Sequence, residues 1–215
     1  MKKCKICKAI SSPIVDEKTS KIYYKCSNCE YIFLDKLFFI DENLEKKHYD
    51  KHHNNLESVG YVQMFQNLIE EFVLAKKEHI SSALDFGCGE GEVLPIILER
   101  NGLSCDRYDL FYFPEKTYKD KTYDLILSTE VIEHLDKPLE MLNEILSHIN
   151  KNAYLILMTA FHPLDEKEFL KWWYIRDITH IGFFTIKTFE YIAKELNLKI
   201  VKHNDKNTIM FQKLI

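Results

Sequence analysis

Glycine and proline are scarce in this 215-residue chain, at six and five, and no apolar run approaches the ~20 residues that span a bilayer. A collagen-like or low-complexity chain is excluded on that composition, and each glycine present gains weight. The start MKKCKICK lacks the apolar core of a secretory signal, so the expected compartment is the cytoplasm, with no membrane partner. An excess of one charge is missing too: 29 basic and 33 acidic residues leave −4, which gives no general attraction to nucleic acid. Seven lysines against three acids in residues 1–30 make the N-terminus locally basic, so RNA is a permitted partner and not an implied one. With 46% hydrophobic and 29% charged residues, the composition is that of an ordinary folded domain with a small appendage.

Three of the six glycines stand in one segment, SALDFGCGEGEVL, where an apolar strand runs into Asp85 and then Gly87, Gly89 and Gly91. A strand that ends in a tight glycine turn lets backbone approach a ligand, and a Cβ there would obstruct both turn and ligand. The G-x-G-x-G spacing departs from the G-x-G-x-x-G of nicotinamide sites. Asp85 and Glu90 would repel a pyrophosphate, yet they suit a ligand with an ammonium and a sulfonium group, a description that S-adenosylmethionine meets. CDRYDL then ends on Asp109, 18 residues past Gly91, where a carboxylate can accept hydrogen bonds from both hydroxyls of an adenosine ribose.

Cys4, Cys7, Cys26 and Cys29 form C-x2-C-x18-C-x2-C, a zinc-ribbon spacing. Each pair can turn two thiolates inward, and two pairs complete the closed tetrahedron of a structural zinc ion. So short a segment buries too little apolar surface to fold without such a staple. KIYYKC and YIFL read as its strands. Two disulfides are the competing reading, which a cytosolic setting disfavours. Cys88 and Cys105 stand outside the set and read as small buried residues.

The ribbon is expected over residues 1–35, a charged, histidine-rich linker or helical lid over 36–60, and the main domain over 61–215. That domain opens on an amphipathic helix from about Tyr61 to Lys77. ALDF, CDRYDL, YDLILST and AYLILMT then read as strands, alternating with helices in GEVLPIILERN, from Pro138 to about Ile149, and in TIKTFEYIAKELN. Pro95 is tolerated because it falls in an opening turn. KIVKH and TIMFQK close the chain as a strand pair. The alternation predicts an α/β fold with a doubly wound sheet and one antiparallel strand from the closing pair.

LDFGCGEG, the acid of RYDL and YDLILSTEVIEHL together resemble the successive motifs of class I S-adenosylmethionine-dependent methyltransferases, over about residues 60–213. More narrowly, the ribbon, YDKHHN, GY, LDFGCG, TEVIEHL and WWYIRDITHIGFFT resemble a bacterial group of methyltransferases with an N-terminal set of CxxC pairs. The resemblance implies a Rossmann-like sheet and S-adenosylmethionine as cofactor. It leaves the acceptor open, because the broad family methylates sugars, quinones, lipids, RNA and proteins. The chain departs from the family pattern between Asp109 and Tyr123, where 13 residues are too few for the usual helix and third strand. A shortened or missing third strand is therefore expected, with adenine resting near Leu110 and Phe111. Cofactor contacts are also expected from Thr129, Glu130 and Tyr61. Tyr49, His52, Asn54 and Tyr61 match the family's YDxHxN and GY elements, and they either close over the methionine end of the cofactor or cap the helix they precede.

The family's substrate pocket lies over the carboxyl ends of the strands, which here carry Thr129, Glu130, Glu133, His134, Thr159 and His162. A helical turn would put Glu130, Glu133 and His134 on one face. On one reading these acids simply favour a helix's first turn and His134 bonds nearby backbone. On the other they hold a second, divalent metal, as similar E-x-x-E-H clusters do in small-RNA 2′-O-methyltransferases, with His180 completing the shell. If the acceptor is a hydroxyl or amine, His134 or His180 is the candidate base, and each has a structural alternative. In WWYIRDITHIGFF, packing is favoured for Trp172, Trp173, Phe183 and Phe184, while Arg176, Asp177 and His180 remain the polar candidates. The leading function is methyl transfer to a small-molecule or carrier-linked acceptor. The alternatives are an RNA methyltransferase and a noncatalytic zinc-ribbon interaction protein.

Overall fold

The apolar strands after residue 80 assemble into one mixed sheet, in a computed structural model that describes residues 1–51 and 55–214. Its strands are β5 (Ser82–Phe86), β6 (Ser104–Tyr108), β7 (Tyr123–Thr129), β8 (Ile149–Met158), β10 (Leu198–His203) and β11 (Thr208–Lys213). They lie in the order β10-β11-β8-β7-β5-β6. The four strands from β6 to β8 are parallel, whereas β11 runs antiparallel to both β8 and β10. Successive residues of a strand point to opposite faces. Ala83, Leu125, Leu127 and Ile156 accordingly pack with α2 (Val59–Leu68) and α3 (Val93–Arg100), while Leu84, Ile126, Leu155 and Leu157 pack with α4 (Pro138–Leu146) and α6 (Ile186–Glu195). Both faces being covered explains why these strands are apolar almost throughout.

The sheet stops at β6, and no further strand follows it among the described residues. The short stretch after it folds back on itself, with Asp109 and Phe113 exchanging backbone hydrogen bonds of 3.1 Å. The fold is thus the expected doubly wound α/β sheet lacking its third strand.

Three local expectations are corrected. The helix read from Tyr61 to Lys77 begins at Val59 and passes through a π-helical turn at Ile69–Val73, which brings Ile69, Phe72 and Val73 all inward. EVIEH gives only a 3-10 turn, Ile132–His134, because Glu130 takes a left-handed φ of 54° on leaving β7. Helix α4, with Pro138 pre-setting its first turn, ends at Leu146 because β8 begins at Ile149.

A second sheet holds β1 (Lys2–Lys3), β2 (Ile10–Val15), β3 (Ile22–Cys26) and β4 (Ile32–Leu34), and its fifth strand is β9 (Gly182–Phe183). β4 and β9 pair antiparallel, Ile32 opposite Phe183 and Phe33 opposite Gly182. Tyr23, Phe169 and Phe183 meet edge-on behind that pairing, at centroid distances of 5.2–5.9 Å. Each such aromatic pair adds roughly 0.5–1.5 kcal/mol beyond area burial. Helices α1 (Glu42–Tyr49) and α5 (Glu166–Lys171) are each capped by the preceding aspartate, Asp41 and Asp165. Among the described residues no helix is long and apolar enough to cross a membrane.

Candidate active site

A cavity of about 610 Å³ opens over the carboxyl ends of β5, β6 and β7. At one end, the turn after β5 is fastened to β6 by the Gly87 and Cys88 N–H groups, both donating to the Tyr108 carbonyl. Gly87 has φ +84°, and a Cβ there would stand 2.3 Å from Val131 Cγ2, so this glycine answers to the turn after β7. Gly89, at φ +63°, has open space where a Cβ would sit, and Gly91 is not left-handed. All three line the cavity.

Asp85 lies at the root of this turn, 3% exposed, with Oδ1 lacking a hydrogen-bond partner. Burial, reinforced by the charge of Asp109 and opposed by Arg107, pushes its carboxyl up to about 7. An orphaned buried carboxylate costs stability unless a cation or donor meets it, and a ligand ammonium would do so. Asp109 is committed to backbone: Oδ2 accepts from Gly89 N–H at 2.9 Å, and Oδ1 from Phe111 and Tyr112 N–H at 2.8 and 3.1 Å. Oδ1 is thus doubly bonded to backbone, while Oδ2 keeps a second lone pair for a ribose hydroxyl. Leu110, Phe111, Thr129 and Tyr61 also line this cavity, with Leu110 63% exposed.

At the other end, Nδ1 of His134 donates to the Thr179 carbonyl at 3.1 Å and Nδ1 of His180 to the Tyr174 carbonyl at 2.8 Å. In its neutral form the His134 ring therefore presents Nε2 as its lone-pair nitrogen. Burial and the neighbouring His180 drive His134 down to about 3, so it is neutral at ordinary pH. The Tyr174 hydroxyl lies 2.8 Å from Glu130 Oε2, 2.5 Å from Glu133 Oε1 and 3.1 Å from Thr159 Oγ1. One phenolic proton cannot serve two ionised carboxylates. Glu133, fully buried with Oε2 unpartnered, is pushed well above the carboxylate range by burial and by Glu130, and it keeps a proton. Glu130 lines the cavity, and loss of solvation around its carboxyl raises its pKa, opposed by the hydrogen bond from Tyr174. Glu133, His134 and His180 each bring a ligand atom within 4.8 Å of the others, and Glu130 stands outside that group.

The ribbon supports this end from behind. Ile181 N–H donates to the Glu133 carbonyl at 2.8 Å, and Leu34 N–H to the Ile181 carbonyl at 2.9 Å. The Thr188 hydroxyl donates to the Cys29 carbonyl at 2.9 Å, and the Tyr31 ring lies against Gly182, where a Cβ would come 2.6 Å from Tyr31 Oη.

Cys4, Cys7, Cys26 and Cys29 converge in the ribbon, with Cys4 and Cys29 sulfurs 3.5 Å apart and Cys7 and Cys26 sulfurs 3.4 Å apart. Those separations are far beyond a disulfide bond and near the roughly 3.8 Å between sulfurs on a tetrahedral zinc. The two CxxC turns are built alike: Lys8 and Glu30 are left-handed at φ 62° and 66°, and their N–H groups return to the carbonyls of Cys4 and Cys26. A hydrogen bond from Cys29 pulls the Cys4 thiol down to about 5, which favours a thiolate. The donor set is compatible with zinc.

Several sequence candidates fall elsewhere. Thr159 and His162 are buried outside the cavity, His162 between the carbonyls of Pro163 and Glu30. Phe183 and Phe184 are core, Arg176 is exposed away from the cavity, and Trp173 lines it at 66% exposure, against the packing expectation. His52 and Asn54 lie outside the described residues. Sequence reasoning missed Glu45 and Tyr174. Glu45 carried a faint signal in its i,i+4 spacing to Tyr49, whose hydroxyl it accepts at 2.8 Å.

The chain belongs to the methyltransferase domain family, whose match covers residues 60–203. An O-methyltransferase family protein from Burkholderia thailandensis is similar, with a TM-score of 0.56 at 12% identity, over 71% of this chain and 57% of that one. This chain thus spans little more than half the length of that protein. A plantazolicin methyltransferase, in complex with a triazolic desmethylPZN analog and SAH, gives 0.52 at 14% identity, over 81% and 92% of the two chains. Magnesium protoporphyrin IX methyltransferase from Synechocystis PCC 6803 with bound SAM gives 0.51 at 14%, over 72% and 80%. No curated protein matches the chain. At these identities the likeness is one of fold.

Proposed function

We propose that the chain is an S-adenosylmethionine-dependent methyltransferase acting on a small-molecule or carrier-linked acceptor through an oxygen or nitrogen nucleophile. The observation that carries this reading is Asp85, a buried carboxylate without a partner beneath a left-handed glycine turn. Asp85 would take the ligand ammonium and Asp109 the ribose hydroxyls, with Leu110 and Phe111 beside adenine. Tyr61 and Tyr49 would flank the methionine end, and Thr129 and Glu130 would face the methyl group. When bound, the cofactor supplies a methyl group already activated by its sulfonium. The chain's own part is to align the acceptor in line, exclude water and accept one proton, at Nε2 of His134 or His180. Calorimetry with S-adenosylmethionine tests the reading, and absence of binding would return the chain to a noncatalytic interaction protein.

Zinc in the four-cysteine site would be structural, since all four ligand positions are filled by protein. A second reading of the acceptor end is favoured by the convergence of Glu133, His134 and His180, two imidazoles and a carboxylate that suit a divalent ion. Their backbone-anchored Nδ1 groups are the outer support such ligands use. Metal analysis of wild type and of a Glu133→Ala and His180→Ala pair decides it: only one metal per chain, with substrate present, removes this reading. RNA as acceptor is disfavoured by a cavity lined by neither lysine nor arginine among the described residues, and steeply salt-dependent RNA binding would reinstate it.

A further inference from the structure

The cavity wall is rich in acids. Among its described lining residues are Glu45, Asp85, Glu90, Asp109, Glu130 and Asp177, and no lysine or arginine. Asp85, Glu90 and Asp109 surround the glycine turn and belong to the cofactor reading, whereas Glu45 and Asp177 have no part in it.

These acids accompany a continuous belt of rings. Phe111 lies 5.9 Å from Tyr49, Tyr49 5.4 Å from His134, His134 4.8 Å from His180, His180 4.0 Å from Tyr174, and Tyr174 5.2 Å from Trp173. Two acids hold belt tyrosines by the hydroxyl, Glu45 on Tyr49 and Glu130 on Tyr174, each at 2.8 Å. Such bonds push electron density toward the rings, whose faces already attract cations. Half-buried and neutral, His134 does not offset the field. Trp173 completes the belt at the rim, 66% exposed and edge-on to Tyr174. Electron-rich faces backed by carboxylates recognise an organic ammonium ion, while an anion there would meet no lysine or arginine among the described lining residues.

We propose that the acceptor is an organic amine, held as its ammonium ion in this belt and methylated on nitrogen. The inference rests on the methyltransferase reading and narrows it. For this acceptor Glu130 takes the place of the imidazoles as proton acceptor, and the bound ammonium passes one proton through it to water. The freed lone pair forms the nitrogen–carbon bond as the carbon–sulfur pair returns to sulfur, giving an N-methylammonium product and the neutral thioether.

The test is calorimetry on the full chain loaded with S-adenosylhomocysteine, titrated with benzylamine, benzyl alcohol and benzoate, which share a shape and differ in charge. Benzylamine is expected to bind about tenfold more tightly than the alcohol, and benzoate not at all. The amine's advantage should shrink about fivefold in Trp173→Ala and in Glu45→Gln. Trp173 is exposed, so its replacement leaves folding intact. Failure of the thioether itself to bind would sink the methyltransferase reading. With the thioether bound, absent benzylamine binding, or alcohol or benzoate binding as well as the amine, overturns the amine inference alone. A preference for the alcohol or benzoate that arises only on adding magnesium or manganese also overturns it, and gives the site to the metal.

Discussion

The two ends of the cavity are built on different scales of the chain. The end proposed to hold the cofactor comes from Asp85 to Gly91 and Asp109, tied by hydrogen bonds to backbone between adjacent strands. The end proposed for the acceptor gathers Glu45 and Tyr49 from α1, the turn after β7, and residues 173–180, and the N-terminal sheet braces it through β4 and β9. A short-range site tolerates distant damage, whereas a long-range one inherits the stability of its support.

The strongest test of that contrast is to remove the support. Replacing Cys26 and Cys29 together by serine should abolish zinc binding, cost roughly 3–5 kcal/mol of stability and lower methyl transfer at least about a hundredfold. Affinity for S-adenosylhomocysteine in the cold should stay within about threefold. Equal loss of both would show that the two ends are one unit.

Two glycines probe the ends separately. Gly87→Ala faces a left-handed φ and Val131 at 2.3 Å, and should cost about 2–4 kcal/mol and most of the cofactor affinity. Gly182→Ala meets only the Tyr31 hydroxyl at 2.6 Å, and should cost about 1–3 kcal/mol with cofactor affinity kept. Denaturant melts and calorimetry of both variants check this.

Asp85→Asn should weaken S-adenosylmethionine about thirtyfold, the loss of a charged hydrogen-bonded partner. Its folded carboxyl, near 7, stands above the unfolded value of ~3.9, so its contribution to ligand-free stability is full below that lower value. The contribution is lost as pH rises to about 7, amounting to roughly 4 kcal/mol across the interval. Wild-type cofactor affinity runs the other way, rising to about pH 7 and then flattening, and Asp85→Asn should remove both dependences. The smallest effect is expected for Tyr31→Phe. Its hydroxyl is buried without a partner, so deletion should gain about 0.5–1 kcal/mol, and should rescue Gly182→Ala by more than that.

The same difference in scale decided what the amino acids revealed unaided. The glycine turn, Asp85 and Asp109 were legible because strand, turn and acid fall within one βα unit. The convergence of the four cysteines was legible because each CxxC turn brings two sulfurs together, and the missing third strand because 13 residues cannot hold it. Tyr174 was not legible: an aromatic in an aromatic-rich stretch carries no local mark of the hydroxyl that joins Glu130, Glu133 and Thr159. Nor was β9, two residues long and paired with a strand near the other end of the chain. The spacing of EVIEH suggested a helical face, but the left-handed Glu130 breaks that periodicity and turns it out to the cavity.

The pairing of β4 with β9 also sets a timetable for synthesis. The cysteine turns are complete by residue 30, but the partner of β4 emerges about 150 residues later, roughly ten to thirty seconds at ribosomal speed. Throughout that interval Ile32, Phe33 and Leu34, all buried in the finished protein, form an apolar strand with one open edge. Nascent chains stalled before Gly182 therefore expose a ready surface for pairing with one another, and the arrival of β9 closes it.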